Sequence, residues 1–447
     1  MSNKVPFSFI IIIGLMLFAL FFGAGNLIFP PMLGQSAGTN LWWANIGFLV
    51  TGVGLPLMTV LAFGFSGKDD LLDLANRVHP VFAVVFTTIL YLALGPLFVL
   101  PRSGSVSFEI GITPFLSSTP GPIPLIIFTT IFFGVTCLLA LNPTKIVDIV
   151  GKILTPIKLT FIGILVLIAF INPIGAFQPP TEEYKSHIFF KGFQNGYLTM
   201  DTLAAFVFAI IIVNALKARG ITTKRQIMIT CSKATAIAAI LLAIMYTALA
   251  YMGASSVEKL GYLDNGGKIL AQVSYYYFGS YGEVLLGLMI TIACLTTSVG
   301  LMTACASFFH KLFPKLPYKT IVFILSIFST IISNVGLTRL ITFSIPVLTV
   351  IYPLAIVLVI LTFLHPLFRG KSEVYQGSLL LTLIVSLSEG LSIKSIDNFF
   401  SPILPMYSNG LGWILPALIG GSIGFSLSFL RNDGKSNTLI SSKRLSK

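Results

Sequence analysis

Apolar residues run along this chain in long blocks, separated by short clusters of Lys, Arg, Asp, Gly and Pro. Such blocks match the roughly 20 residues that a helix needs to cross a bilayer. Twelve spans are predicted, at 7–33, 41–66, 80–108, 122–142, 153–172, 194–217, 227–252, 282–309, 320–335, 341–366, 374–391 and 411–430. The first is interrupted in its middle by Phe22-Gly23-Ala24-Gly25-Asn26 and resumes at Leu27 toward Pro30-Pro31. Inside hydrocarbon, loose backbone is tolerated only where protein or a watery cavity satisfies its N–H and C=O groups. The break therefore predicts a binding site built from main chain, because half-helices meeting at mid-membrane mark secondary transporters.

Composition removes the soluble alternatives. The chain is 55% hydrophobic and only 10% charged, with a mean hydropathy of +0.94, where soluble domains carry about 25% charged residues. We read 1–430 as a single transmembrane domain and 431–447 as a basic cytoplasmic tail. A cleaved leader is not expected, since apolar sequence continues from Phe7 through Leu33, too long for a signal-peptide core. Cys137, Cys231, Cys294 and Cys305 are scattered singly, which predicts neither a disulfide framework nor a metal cluster.

An even number of spans puts both termini on one side. With that side cytoplasmic, 21 of the 28 lysines and arginines fall inside and 7 outside, Arg102 among the latter. This is the bias of the positive-inside rule. The net charge of +13 then faces anionic lipid, and no nucleic-acid partner is expected. Spacing also predicts two five-helix repeats, 7–172 and 194–366, followed by two additional helices at 374–430. Helix 6, the counterpart of helix 1, carries Thr199-Met200-Asp201-Thr202 near its middle. An odd-numbered repeat inserts upside down relative to its partner, so the halves would have inverted topology.

Three elements carry candidate chemistry. Glycine exposes backbone without a steric penalty, so the amides of Gly23, Ala24 and Gly25 are candidates to face a ligand. The helix that follows points its positive end at the same place, which suits a carboxylate. The same small residues also suit close helix packing. In helix 8, Ala293-Cys294-Leu295-Thr296-Thr297-Ser298 offers two adjacent hydroxyls and a carbonyl one turn earlier, hard oxygens fit for a small cation such as Na⁺. Hydroxyls in membrane helices also bond back to their own preceding turn. Asp201, a carboxylate near mid-membrane, is a functional candidate by default. It would face a substrate ammonium or a coupling proton, or organise the break in helix 6.

These residues carry a resemblance. Phe21-Phe22-Gly23-Ala24-Gly25-Asn26-Leu27-Ile28-Phe29-Pro30-Pro31 resembles the opening of the branched-chain amino acid carriers, the BrnQ or LIVCS family. Gly95-Pro96-Leu97-Phe98, Pro101-Arg102, Ser107-Phe108-Glu109-Ile110-Gly111 and Leu198-Thr199-Met200-Asp201-Thr202-Leu203-Ala204-Ala205 resemble it in the same order. The similarity implies an all-α membrane protein of the LeuT type, with five-plus-five inverted repeats, broken helices 1 and 6, and cation-coupled import. It implies that Gly23, Ala24, Gly25 and Asn26 hold the substrate carboxylate, with Thr199 and Asp201 at the same site. It also implies a Na⁺ site of the kind called Na2, from the carbonyls of Ala19, Phe22 and Ala293 and the hydroxyls of Thr296 and Thr297.

The function expected is symport of leucine, isoleucine and valine with Na⁺ across a bacterial cytoplasmic membrane, and no enzymatic activity. The alternatives are another small apolar solute, or H⁺ as coupling ion. A different class is suggested by Asp69-Asp70-Leu71-Leu72-Asp73, which mimics the Mg²⁺ site of prenyl transferases. No second Asp-rich motif accompanies it, and acidic residues at a helix start need no metal to explain them.

Overall fold

The computed structural model describes residues 6–68, 70–116, 121–141, 155–218, 221, 223–391 and 394–444. Among these residues all regular structure is helical. The first helix is split into α1 (Phe7–Phe21) and α2 (Ala24–Ala37), and the second runs through α3 (Leu41–Leu49) and α4 (Leu55–Ser66). A short α5 (Leu71–Ala75) leads to α6 (Pro80–Leu92), α7 (Val99–Gly111), α8 (Pro122–Ala140) and α9 (Thr155–Ile171). Then come α10 (Ile188–Asn195), α11 (Asp201–Ala218), α12 (Lys224–Leu260), α13 (Gly266–Leu312) and α14 (Tyr318–Ser333). The chain ends in α15 (Leu337–Leu364), α16 (Ser372–Leu391), α17 (Lys394–Phe400) and α18 (Ile414–Arg444).

Seven helical stretches among the described residues are, by length and composition, long and apolar enough to cross a membrane. The first half of helix 1 falls outside that set for a physical reason: the break leaves α1 with only 15 residues, while α2 is counted in the stretch Ala24–Ser66. Two predicted spans correspond to much longer helices. The span 227–252 lies inside the 37-residue α12, and 282–309 lies inside the 47-residue α13. Hydropathy stops early because the extra turns are polar, yet Ser255, Ser256 and Ser274 are buried by packing. At Gly279 α13 leaves helical geometry, with φ +61°, a conformation glycine adopts without penalty.

The chain divides into two compact units. The first contains Met1–Leu61 and Ile89–Ile345, and the second Ala62–Thr88 and Pro346–Lys447. In the first unit α12 backs both halves of helix 1. A methyl group on Gly14 would lie 2.9 Å from Ala234 O, and one on Gly34 only 1.8 Å from Ala250 O. Such small-residue contacts let membrane helices approach closely. In the second unit α16 and α18 meet the same way, Gly377 against the Gly420 carbonyl and Gly420 against that of Gly377.

Candidate substrate and ion site

Helix 1 breaks at Phe22 (φ −72°, ψ 75°) and Gly23 (φ −107°, ψ −160°), and helical geometry resumes at Ala24. The resumption expected at Leu27 thus comes three residues earlier, so Ala24, Gly25 and Asn26 form the first turn of α2. Their amides belong to the turn whose donors have no intrahelical acceptor. The Gly23 amide is committed differently: it donates to Phe21 O at 2.7 Å and to Asn26 Oδ1 at 3.1 Å. In an unbroken helix it would reach Ala19 O, four residues back. The break therefore releases the Ala19 carbonyl from the helical ladder.

Helix 6 is broken as well, at Met200. The residue sits at φ +61° between a tight turn over Gly196–Thr199 and α11. A bulky residue in the left-handed region is strained, and such strain clusters at functional sites. The break lies near the start of the predicted span 194–217, because the first half-helix begins at Ile188. Lys191, Gln194 and Asn195 had lowered its hydropathy. Thr199 Oγ1 donates to Gly196 O at 2.9 Å and accepts the Asp201 amide at 3.4 Å.

Asp201 opens α11 and is buried. Its carboxylate accepts Asn26 Nδ2 at 2.9 Å on Oδ1 and 2.7 Å on Oδ2, and the Tyr246 hydroxyl at 2.5 Å on Oδ2. Tyr246, from α12, is fully buried, touches Asn26 Nδ2 and packs edge-on against Phe48. The backing helix thus joins the two breaks through one hydroxyl. Nothing in the sequence had singled Tyr246 out from the other membrane aromatics.

Arg102 corrects an expectation. Counted among the outer charges, it is buried in α7, 3% exposed. A kink at Gly95-Pro96 ends the preceding helical stretch and starts α7 at Val99, one turn before it. Its Nη1 donates to Leu198 O at 2.7 Å, and its guanidinium lies 5.1 Å from the Phe29 ring centroid. A methyl on Gly25 would be 2.7 Å from Nη2 and 3.2 Å from Thr199 O. The glycine is what lets the guanidinium and helix 6 close against the start of α2.

Helix 8 lies within α13 and faces the same break. A methyl on Gly23 would sit 3.3 Å from Thr297 Cγ2 and 3.5 Å from its Oγ1. Thr296 and Thr297 differ: Thr296 Oγ1 donates back to Ala293 O at 2.8 Å, whereas Thr297 lines the cavity at the break. Thus Gly23 and Thr297 are neighbours, the Ala19 carbonyl has lost its helical donor, and Ala293 O accepts the Thr296 hydroxyl.

A cavity lies between these elements. Gly23, Ala24, Gly25, Asn26, Thr199, Asp201, Arg102 and Thr297 supply its polar wall. Leu20, Phe21, Ala204, Phe208 and Leu301 supply an apolar one. The Asp-rich motif is elsewhere, and Asp69 lies outside the described residues. Asp70 caps α5, its Oδ1 accepting the Asp73 amide at 2.7 Å.

The sequence profile described as "Branched-chain amino acid transport protein" matches residues 8–430. The branched-chain amino acid permease BrnQ of Bacillus subtilis is 66% identical over 96% of this chain and 99% of its own length. The permease BraB of the same organism is 50% identical over 99% of this chain and 100% of its own length, and BrnQ of Escherichia coli 40% over 94% and 95%. Among solved structures, Mhp1, a nucleobase-cation-symport-1 family transporter, superposes with a TM-score of 0.61 at 12% identity, covering 92% of this chain and 91% of that one. MhsT in complex with L-phenylalanine gives 0.55 at 16%, covering 93% and 97%. Both neighbours are LeuT-type transporters, so the fold is of that type. With its profile match and its near relatives spanning almost the whole length, this chain belongs to the branched-chain amino acid transport protein family.

Proposed function

We propose that the protein is a symporter that imports leucine, isoleucine and valine with Na⁺, by alternating access around the broken helices. The observation that carries this reading is the convergence of both breaks on one cavity with a polar end and an apolar wall. The amides of Ala24 and Gly25 meet the substrate carboxylate, helped by the positive end of α2. Gly23 and Asn26 contribute by holding the break open, since the Gly23 amide is already bonded to Asn26. Thr199 and Asp201 form the opposite side. The branched side chain lies against Phe21, Phe208 and Leu301, where discrimination among the three substrates is small: one methylene is worth about 1–3 kcal/mol.

The Na⁺ ligands are the carbonyls of Ala19, Phe22 and Ala293 with the hydroxyls of Thr296 and Thr297. The freed Ala19 carbonyl and the proximity of Thr297 to Gly23 support this set. One charge crossing 100 mV contributes about 2.3 kcal/mol, to which the ion gradient adds. A proton is the alternative coupling ion, favoured by a buried carboxylate bonded to a tyrosine hydroxyl. The five-helix repeats 7–172 and 194–366 would rock one bundle against the rest around the fixed site. The protein sits in the cytoplasmic membrane with both termini inside.

Uptake of labelled leucine into proteoliposomes under an imposed Na⁺ or H⁺ gradient tests the reading. Accumulation driven by inward Na⁺ is expected. Absence of accumulation under either gradient would remove the proposal.

A further inference from the structure

Among the described residues, Arg102 and Asp201 are the two buried members of the Asp, Glu, Lys and Arg side chains, at 3% and 2% exposure. Both line the same cavity. They come from different elements, α7 and the start of α11, and Arg102 reaches across to bond the Leu198 carbonyl, three residues before Asp201. A lone buried charge is heavily penalised, and more so inside a membrane. Two of opposite sign leave the cavity neutral as a whole.

We propose that Arg102 and Asp201 form a charge clamp that selects zwitterions, Arg102 receiving the substrate carboxylate beside the α2 amides and Asp201 receiving the ammonium. This rests on the reading of the chain as an amino acid permease and adds to it the origin of its selectivity. An α-amino acid carries both charges on one carbon and is neutral overall. Its entry keeps the site neutral while each charge meets its opposite at short range.

A guanidinium offers five N–H donors in a fixed fork, and Nη1 of Arg102 donates to Leu198 O. A carboxylate accepts at about four lone-pair positions, and Asp201 receives Asn26 and Tyr246. Those two partners fix the carboxylate in place. Phe29 and the Leu198 carbonyl do the same for the guanidinium. The clamp is therefore set before substrate arrives, which limits the ordering cost of binding.

The consequence concerns molecules that share leucine's side chain but carry one charge. A 2-oxo acid pairs with Arg102 and leaves Asp201 unmatched. An amine does the reverse. The apolar wall does not distinguish the three, so rejection of both analogues falls to the clamp.

The test is competition against labelled leucine uptake in proteoliposomes, using 3-methylbutylamine and 4-methyl-2-oxopentanoate. In the wild type neither analogue competes at concentrations where unlabelled leucine saturates. Arg102→Gln should weaken leucine by about tenfold or more, as expected for loss of hydrogen bonds to a charged group, and should let the amine compete. Asp201→Asn should produce the mirror result, with the oxo acid gaining. Arg102→Lys should keep more leucine affinity than Arg102→Gln. Where uptake by a variant falls below detection, thermal stabilisation of the purified protein by each analogue reads the same exchange. Leucine transport by the wild type, with unchanged analogue selectivity in both charge-removing variants, overturns the clamp and leaves the permease reading standing.

Discussion

Asn26 donates its side-chain amide to both carboxylate oxygens of Asp201, at 2.9 and 2.7 Å, across 175 residues of sequence. Its other end accepts the Gly23 amide at 3.1 Å. One side chain thus holds the break in helix 1 open and ties it to the break in helix 6. A polar group in a dry site is costly unless fully bonded, and here the break in each helix supplies the partners for the other. The two irregularities form one structure.

Tyr246→Phe removes the hydroxyl that Asp201 accepts and keeps the ring against Phe48, 5.6 Å away. A hydrogen bond to a charged group is worth about 1.5–3 kcal/mol. The half-saturating leucine concentration should rise about tenfold or more at normal membrane abundance. An unchanged uptake curve would show that the hydroxyl only fills space.

Gly25→Ala places a methyl 2.7 Å from Arg102 Nη2 and 3.2 Å from Thr199 O. Moving the guanidinium breaks its bond to Leu198 O, and the Thr199 backbone is fixed by the strained Met200 turn. Leucine uptake should be lost while the protein still reaches the membrane and purifies as a monodisperse species. Gly34→Ala, 1.8 Å from Ala250 O, should instead lower yield and thermal stability, because backbone must separate from backbone.

Much of this arrangement is legible in the sequence, and the exceptions have physical causes. Gly23, Gly25 and Asp201 stand out because hydrocarbon penalises them, so their presence demands a reason. Arg102 was misplaced because hydropathy assigns charges to helix ends, whereas the Gly95-Pro96 kink carries this one inward. Tyr246 gives no signal, since its role depends on the rotation of α12 against helix 1, a tertiary fact. Thr296 and Thr297 are equivalent as letters and become distinct only when Thr296 turns back to Ala293. The first half of helix 6 was missed because α10 is too polar and short to register as a span.

Thr297→Ala should raise the Na⁺ concentration needed for half-maximal uptake more than it affects membrane insertion. Thr296→Ala frees the Ala293 carbonyl from its internal bond and should have the smaller effect. The two are compared by leucine uptake across a range of external Na⁺. A sodium response unaltered by Thr297→Ala would displace the ion site from helix 8.

Asp70→Ala removes the cap on α5, worth about 0.5–2 kcal/mol. A small fall in thermal midpoint is expected, with leucine uptake unchanged. Loss of a Mg²⁺-dependent prenyl transfer in this variant would instead revive the enzymatic reading of the Asp-rich motif.

The measurement that tests the central claim most directly is a structure of the protein with leucine bound. The carboxylate is predicted within hydrogen-bonding distance of the Ala24 and Gly25 amides, and the branched side chain against Phe21, Phe208 and Leu301. Leucine seated outside this cavity, or turned so that its ammonium faces the start of α2, would contradict the account.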